Sequence, residues 1–430
     1  MMDKQISKGK QIRTFLADNI VSVIFAVLIL FGFIVGKGIT LTYFVEQLFQ
    51  SVFRNGFLVL SLIIPVIAGL GMNFGIVVGA MSAQIALVTV RYFDVPGFMS
   101  LLICVIMAAP LAMLFGFLTG KLYNRTRGQE MIAGLIVGYF ADGLYKFLML
   151  FVIGFVIPVS VESLHTRQII NPSGIGIRMT VDMGDFAYSV DKLWRIPFMT
   201  FVLIAALIFL LYLIIQFIRK RKNPALGKNN ILLTGLYGVV CLFFIVVSVQ
   251  AMITKSPLMK LRPEAPVFTI LSIALLGVAT HFLLKTKLGQ DFRSVGQSQQ
   301  IARVSGINVD KTRIIAVMIS TVLAAWGMLL YLQNMGTLNV YGAHTQIGLF
   351  SVASLLVGGA STQKATVKNA FIGVLLFNSM FIVSPAVGMT LFGDAQNAEY
   401  IRTFMVYAVI GLSLGLYVWR GRKNSEQKVE

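Results

Sequence analysis

The sequence predicts an all-α, polytopic helical membrane protein with about twelve transmembrane helices. Three observations lead there. The chain is 57% hydrophobic and only 12% charged, whereas a water-soluble domain carries about 25% charged residues. Apolar runs of span length recur along all 430 residues and leave no room for a sizeable soluble domain. Finally, Lys and Arg gather in alternate loops, while Glu46, Asp94, Glu162, Asp182, Asp185, Asp191, Glu264, Asp394 and Glu399 fall in the others. That asymmetry places the basic loops inside. It also accounts for the net charge of +19 without nucleic acid, since no basic patch with interleaved aromatics is present.

Taken in order, residues 2–18 are basic and mildly amphipathic, suited to the cytoplasmic surface. The first apolar run, 20–35, is expected to be a retained span, because no small-residue cleavage site follows it. Residues 37–52 read as an outer connection. Spans at 56–70 and 74–90 flank GLGMNFG, whose glycines and asparagine at membrane depth predict a broken helix. The next span, 99–118, contains Pro110, which removes one backbone hydrogen bond. KLYNRTRGQE then forms an inner loop.

Span 131–157 carries Asp142 and Lys146, and 158–196 is a polar extracytoplasmic segment. Spans 197–218 and 231–253 bracket the strongly basic inner loop RKRKNPALGKNN, and an outer loop with Pro257, Pro263 and Pro266 leads to span 268–284. Residues 285–313 form a polar, basic cytoplasmic loop. Spans 314–331, 347–360, 369–383 and 404–419 follow, with STQKATVK as an inner link and 420–430 as a cytoplasmic tail. This count puts both termini inside.

The 285–313 loop is not linker-like. Ser298 can cap a short helix, Ile301 and Val304 place apolar atoms on one face, and Gly306 can end it. From spacing alone it is either a partner-docking surface or a loop lying on headgroups. The run RSVGQSQQIARVSGINV resembles the cytoplasmic loop of bacterial ABC-importer permeases for simple sugars of the ribose/galactose type, nucleosides and branched-chain amino acids. Arg293, Val295, Gly296, Ala302, Gly306, Ile307, Asn308 and Val309 carry the match; Ile301 departs from it, standing where a small residue is usual.

The resemblance implies that this loop is a coupling helix docking on an ABC ATPase subunit. It also implies a second copy of the permease or a homologous one, and an extracytoplasmic solute-binding protein. Its core has about ten spans; the three spans 197–218, 231–253 and 268–284 occupy the interval where the family usually has one, so one added helical pair is expected there. GLGMNFGIVVGAMSAQ (69–84) resembles the start of the family's first repeat: Gly79 matches its final glycine, Gly75 replaces the acid of the sugar subfamily, and Asn73 with Gly75 resembles the nucleoside one. LLVGGAS, with Gly358 and Gly359, resembles the sugar subfamily. The resemblance covers about 55–157 and 267–384.

Two pseudo-repeats are suggested by the echo of 78–84 in 357–363, each placed at a broken helix. Asn73, Gln84 and Asn378 are the polar candidates for a solute pathway, weighed against plain interhelical hydrogen bonding. Asp142 and Lys146, four apart, share a helix face, either as a proton or ion relay or as a structural bridge.

No enzyme constellation is present. GFLTGKL (116–122) is one residue short of a phosphate-binding loop and lacks its hydroxyl, and no H-E-x-x-H, C-x-x-C or G-x-S-x-G occurs. Cys104 and Cys241 sit in apolar spans, so neither a disulfide nor a metal site is expected, and no cofactor is. The leading reading is the transport subunit of an ATP-driven importer for a small polar solute. Its rivals are an ion-coupled secondary transporter using Asp142 and Lys146, and a non-transporting scaffold.

Overall fold

The computed structural model describes residues 20–36, 38–159, 163–222, 231–254 and 264–426. The expected surface segment 2–18, residues 223–230 of the basic loop, Pro257 and Pro263 of the outer loop, and the last four residues of the tail lie outside these. The helices are α1 Ile20–Val35, α2 Leu41–Ser61, α3 Ile63–Ile67, α4 Ile76–Tyr92, α5 Gly97–Arg125, α6 Glu130–Phe147, α7 Leu164–Ile169 and α8 Phe198–Lys222. They continue as α9 Ile231–Thr254, α10 Val267–Leu283, α11 Lys287–Gln297, α12 Gln299–Val304, α13 Val309–Met335, α14 Ala343–Val357, α15 Val367–Phe392 and α16 Ala395–Glu426.

Among the described residues, seven helices are long and apolar enough to cross a membrane, and the bent pair α10–α11 raises this to eight. The three shorter apolar helices α1, α4 and α14, together with α16, are the others on which the expected count of twelve stands.

Helix α13 is the hub, packing on α5, α4 and α2. The reason is legible on α5, where Cys104, Ala108, Ala112, Gly116 and Gly120 recur every fourth residue and are all buried. Small residues at this spacing let two backbones approach closely without lipid between them. A Cβ on Gly116 would lie 2.9 Å from the Met318 Cα, and one on Gly120 would lie 3.0 Å from the Ile314 Cα. By contrast, α8 and α9 pair mainly with each other, and their outward residues are apolar and exposed. That is how an inserted hairpin at the edge of a bundle would sit.

Two expectations are corrected. Most of the expected connection 37–52 is helix: Thr40 accepts a hydrogen bond from Tyr43 N at 3.3 Å, and α2 starts at Leu41. The polarity that suggested a loop belongs to a helix face that lines a cavity. The segment 158–196 is also more ordered than a polar loop. Strand β1 Thr180–Asp182 pairs antiparallel with β4 Thr337–Asn339, and β2 Arg195–Pro197 with β3 Glu264–Pro266. Val181, Met183 and Phe186 are buried beneath these strand pairs.

Both expected breaks exist, but the echo does not mark equivalent places. Residues 78–84 lie inside α4, whereas 357–363 lie at the end of α14 and in the break beyond it. The first break is 68–75. Gly69 and Gly71 both have φ near +70° there, a region that L side chains rarely adopt.

Candidate functional site: a polar cavity and a braced helix pair

Helix α2 presents Tyr43, Gln47, Ser51, Arg54 and Asn55 at helical spacing along one face, and that face lines a cavity of about 410 Å³. Facing it are Tyr331 of α13, Gln346, Ser351 and Ser354 of α14, Asn378 of α15, and Arg402 of α16. Polar side chains buried inside a membrane bundle cost free energy unless they find partners; several here do, while Ser354 Oγ has none among the described residues. Asn55 Nδ2 donates to Asn378 Oδ1 at 3.0 Å, and Arg54 Nε donates to Asn334 Oδ1 at 2.9 Å. Arg402 pairs with Glu399 and lies 4.4 Å over the Phe381 ring. Phe350, Phe377 and Phe381 form an aromatic wall, with centroids 4.8 and 4.9 Å apart for the two pairs that include Phe381. Amide and hydroxyl groups opposite aromatic faces suit a solute with hydroxyls on an apolar ring, and the volume lies within the range of small-molecule sites.

A second, smaller pocket shares Arg54 and Met335 with the first. Its anchor is Asp191, buried at 3% exposure. The carboxylate accepts from Thr269 Oγ1 at 2.6 Å, Gln333 Nε2 at 2.8 Å and Asn334 Nδ2 at 2.8 Å. Three neutral donors hold the segment that carries Asp191 onto α10 and α13 and, through Asn334, order Arg54.

The residues singled out in the sequence separate into groups. Asn378 lines the cavity. Asn73 does not: its Oδ1 accepts from Gly75 N at 3.1 Å and Tyr123 OH at 2.9 Å, which fixes the first break. A Cβ on Gly75 would lie 2.9 Å from both of those side-chain oxygens. Gly79 faces the Thr321 carbonyl of α13. Gln84 is fully buried, and neither of its polar atoms has a hydrogen-bond partner. Gly358 packs against the Asn369 backbone, and Gly359 has φ +83°.

Asp142 bonds Lys146 Nζ at 2.8 Å through one oxygen and His344 Nε2 at 2.8 Å through the other. His344 is fully buried and belongs to α14, so the carboxylate clasps α6 to α14.

At the basic loop, α10 and α11 are bent by 74°. Ser298 Oγ caps α12 by accepting from Ile301 N at 3.3 Å, and Gly306 ends that turn with φ +80°. Asn308 Oδ1 caps α13 by accepting from Lys311 N at 3.0 Å. Val295, Ala302 and Val309 are buried together with Ile307 packed on them, while Ile301 and Val304 remain 69% and 91% exposed. The pair is therefore braced from within and presents aliphatic side chains outward. Gly296 seats α11 on the first break: a Cβ there would run into the Ile67 carbonyl, and one on Gly69 would lie 2.7 Å from the Gly296 Cα. Below the break, Arg313 of α13 is fully buried and pairs with Glu130 of α6, also donating to Tyr123 O at 3.2 Å.

Sequence reasoning missed the α2 stripe, Asp191, His344 and the Arg313–Glu130 pair. The stripe had a signal, polar residues at helical spacing through 43–55. The ion pair joins residues far apart in sequence, for which no local pattern exists.

A bundle of this composition, with a polar cavity and a braced helix pair, is a multi-pass helical membrane protein. The chain belongs to the family described as the branched-chain amino acid transport system, permease component, which matches residues 44–414. It is 30% identical over 172 residues to a probable ABC transporter permease protein of Sinorhizobium fredii, covering 39% of this chain and 47% of that one. It is 29% identical over 161 residues to a xylose transport system permease protein of Haemophilus influenzae, covering 37% and 40% respectively. A nucleoside ABC transporter permease protein of Lactococcus lactis is 31% identical over 152 residues, 34% of this chain and 46% of its own. The matched parts thus span less than half of each of these relatives. No solved structure matches the chain.

Proposed function

We propose that the chain is the permease subunit of an ABC importer, moving a small polar solute, a simple sugar or a nucleoside, across the cytoplasmic membrane. An extracytoplasmic solute-binding protein delivers the solute to the α2–α13–α14–α15–α16 cavity. Two ABC ATPase subunits grip α11–α12 on each of two permease copies, with both chain termini cytoplasmic. Arg293, Val295, Gly296, Ser298, Ile301, Ala302, Val304, Gly306, Ile307 and Asn308 form the coupling element, and Asn378 contacts solute. Asn73, Gly75, Gly79, Gln84, Gly358 and Gly359 shape the pathway from behind, by setting the breaks and the close helix contacts. The chain itself does no covalent chemistry.

The observation carrying this reading is the backbone contact between Gly296 and Gly69. It joins a helix outside the bilayer to a break within it, so movement of one is felt by the other. The xylose and nucleoside relatives favour those two solute classes. The ion-coupled alternative would use Asp142 and Lys146, but both Asp142 oxygens are already engaged, which supports a structural role.

The test is Val304→Glu combined with Ile301→Glu in protein co-expressed with its ATPase. Both side chains are exposed, so the fold is expected to survive while ATPase co-purification and ATP-driven uptake are lost. Full uptake by this variant refutes the coupling assignment.

A further inference from the structure

A cavity of about 790 Å³ opens between the α10–α11 bend and the link from α14 to α15, which is the inner side on the topology proposed above. Arg293, Lys364, Lys368 and His281 line it, and no carboxylate does. Among the described residues, neither lysine nor Arg293 is in an ion pair. Repulsion between cations gathered around one cavity is relieved when an anion enters.

What lies beside the cavity points to the kind of anion. On α10, Leu271, Ala274 and Val278 lead to His281 at helical spacing, and all four are exposed. On α15, Val367 lines the cavity, and Phe371 and Leu375, four and eight residues on, are exposed. The two helices touch here, since a Cβ on Gly277 would lie 3.6 Å from Val367 Cγ1. Two apolar tracks therefore rise into the membrane from a cationic foot at its inner boundary. Free phosphate would use the foot and ignore the tracks. An acidic protein surface would do the same.

We propose that this crevice holds an anionic glycerophospholipid of the inner leaflet, with its headgroup phosphate between Arg293, Lys364 and Lys368 and its acyl chains along α10 and α15. Basic pockets between transmembrane helices on the cytoplasmic side suit such headgroups. The lipid would touch the coupling helix α11 and the second break at once. It would thereby tie the inner leaflet's charge to the element an ATPase moves.

The test uses the full chain purified in an uncharged detergent and examined by native mass spectrometry. The probes are dioleoylphosphatidylglycerol, dioleoylphosphatidylcholine with the same chains, and inorganic phosphate. Phosphatidylglycerol should bind in preference to phosphatidylcholine, and inorganic phosphate should not displace it. Lys364→Gln with Lys368→Gln should weaken phosphatidylglycerol binding by about tenfold or more, since each basic residue contributes about 1 kcal/mol, or about fivefold. Phosphatidylcholine binding should not change, and Lys364→Arg with Lys368→Arg should retain the preference. Lys121→Gln with Arg125→Gln, at the inner end of α5, should leave it intact.

Undiminished binding in the Gln pair overturns the proposal. So does equal loss in the α5 pair, or displacement by phosphate. Should the Gln pair fail to fold, a photoactivatable phosphatidylglycerol on the unaltered chain decides: labels on α10 and α15 support the site, and labels confined to other helices overturn it.

Discussion

The two glycine-rich breaks are built for different work. The first, at 68–75, leans outward on other elements: Gly69 touches Gly296 of α11, and Asn73 is held by Tyr123 of α5. The second, after Gly358, closes on itself. Gly358 packs on the Asn369 backbone, Gly373 on the Ser354 carbonyl, and Asn369 Nδ2 donates to Gly358 O at 2.8 Å. One break is an attachment point for the α11–α12 pair. The other staples α14 to α15 and so fixes the wall carrying Ser354 and Asn378. The first geometry suits a joint that transmits displacement, the second a wall that keeps its shape.

Substitutions can separate these roles. The largest effect on folding is expected for Gly373→Leu: its Cβ alone would run into the Ser354 carbonyl, so the α14–α15 staple is forced apart at a cost well above the about 1–3 kcal/mol of ordinary overpacking. Yield and thermal stability of the purified chain measure it, and near-normal stability would mean the staple is not structural. Arg313→Met should come close behind. Removing one partner of a buried ion pair costs about 3–5 kcal/mol, and adding Glu130→Gln should restore part of it. A double-mutant cycle read by thermal unfolding checks the coupling.

Asn73→Ala should be milder, about 1–3 kcal/mol, because Tyr123 OH and Gly75 N lose their acceptor. The account predicts that it disturbs ATP-coupled transport more than the matched change Asn369→Ala does. The smallest effect on folding is expected for Asn378→Ala. Asn55 loses one bond of about 1 kcal/mol, while solute KM should rise several-fold. Uptake kinetics measure that, and an unchanged KM would remove Asn378 from the cavity's recognition set.

Much of this was legible in the sequence. The polytopic helical class follows from composition and span-length runs, and the start and end of α12 could be read from Ser298 and Gly306 directly. Those are local properties. The cavity was less legible, because Tyr43, Gln47 and Ser51 look like loop polarity until α2 is known to be helical. Asp191, His344 and Arg313 acquire their partners only through packing between distant helices. The seven-residue echo misled for a related reason. Gly, Ala and Val recur wherever helices pack closely, so 78–84 resembles 357–363 without occupying an equivalent place.

The central claim is that α11 drives the first break through Gly296 and Gly69. The most direct measurement is the number of solute molecules moved per ATP hydrolysed by the reconstituted complex carrying Gly296→Ala. The added methyl would meet the Ile67 carbonyl at that contact, while Ile301 and Val304 stay free to dock. The account predicts that the ATPase still binds and hydrolyses ATP while the transport ratio collapses. A ratio equal to that of the unaltered complex would contradict it.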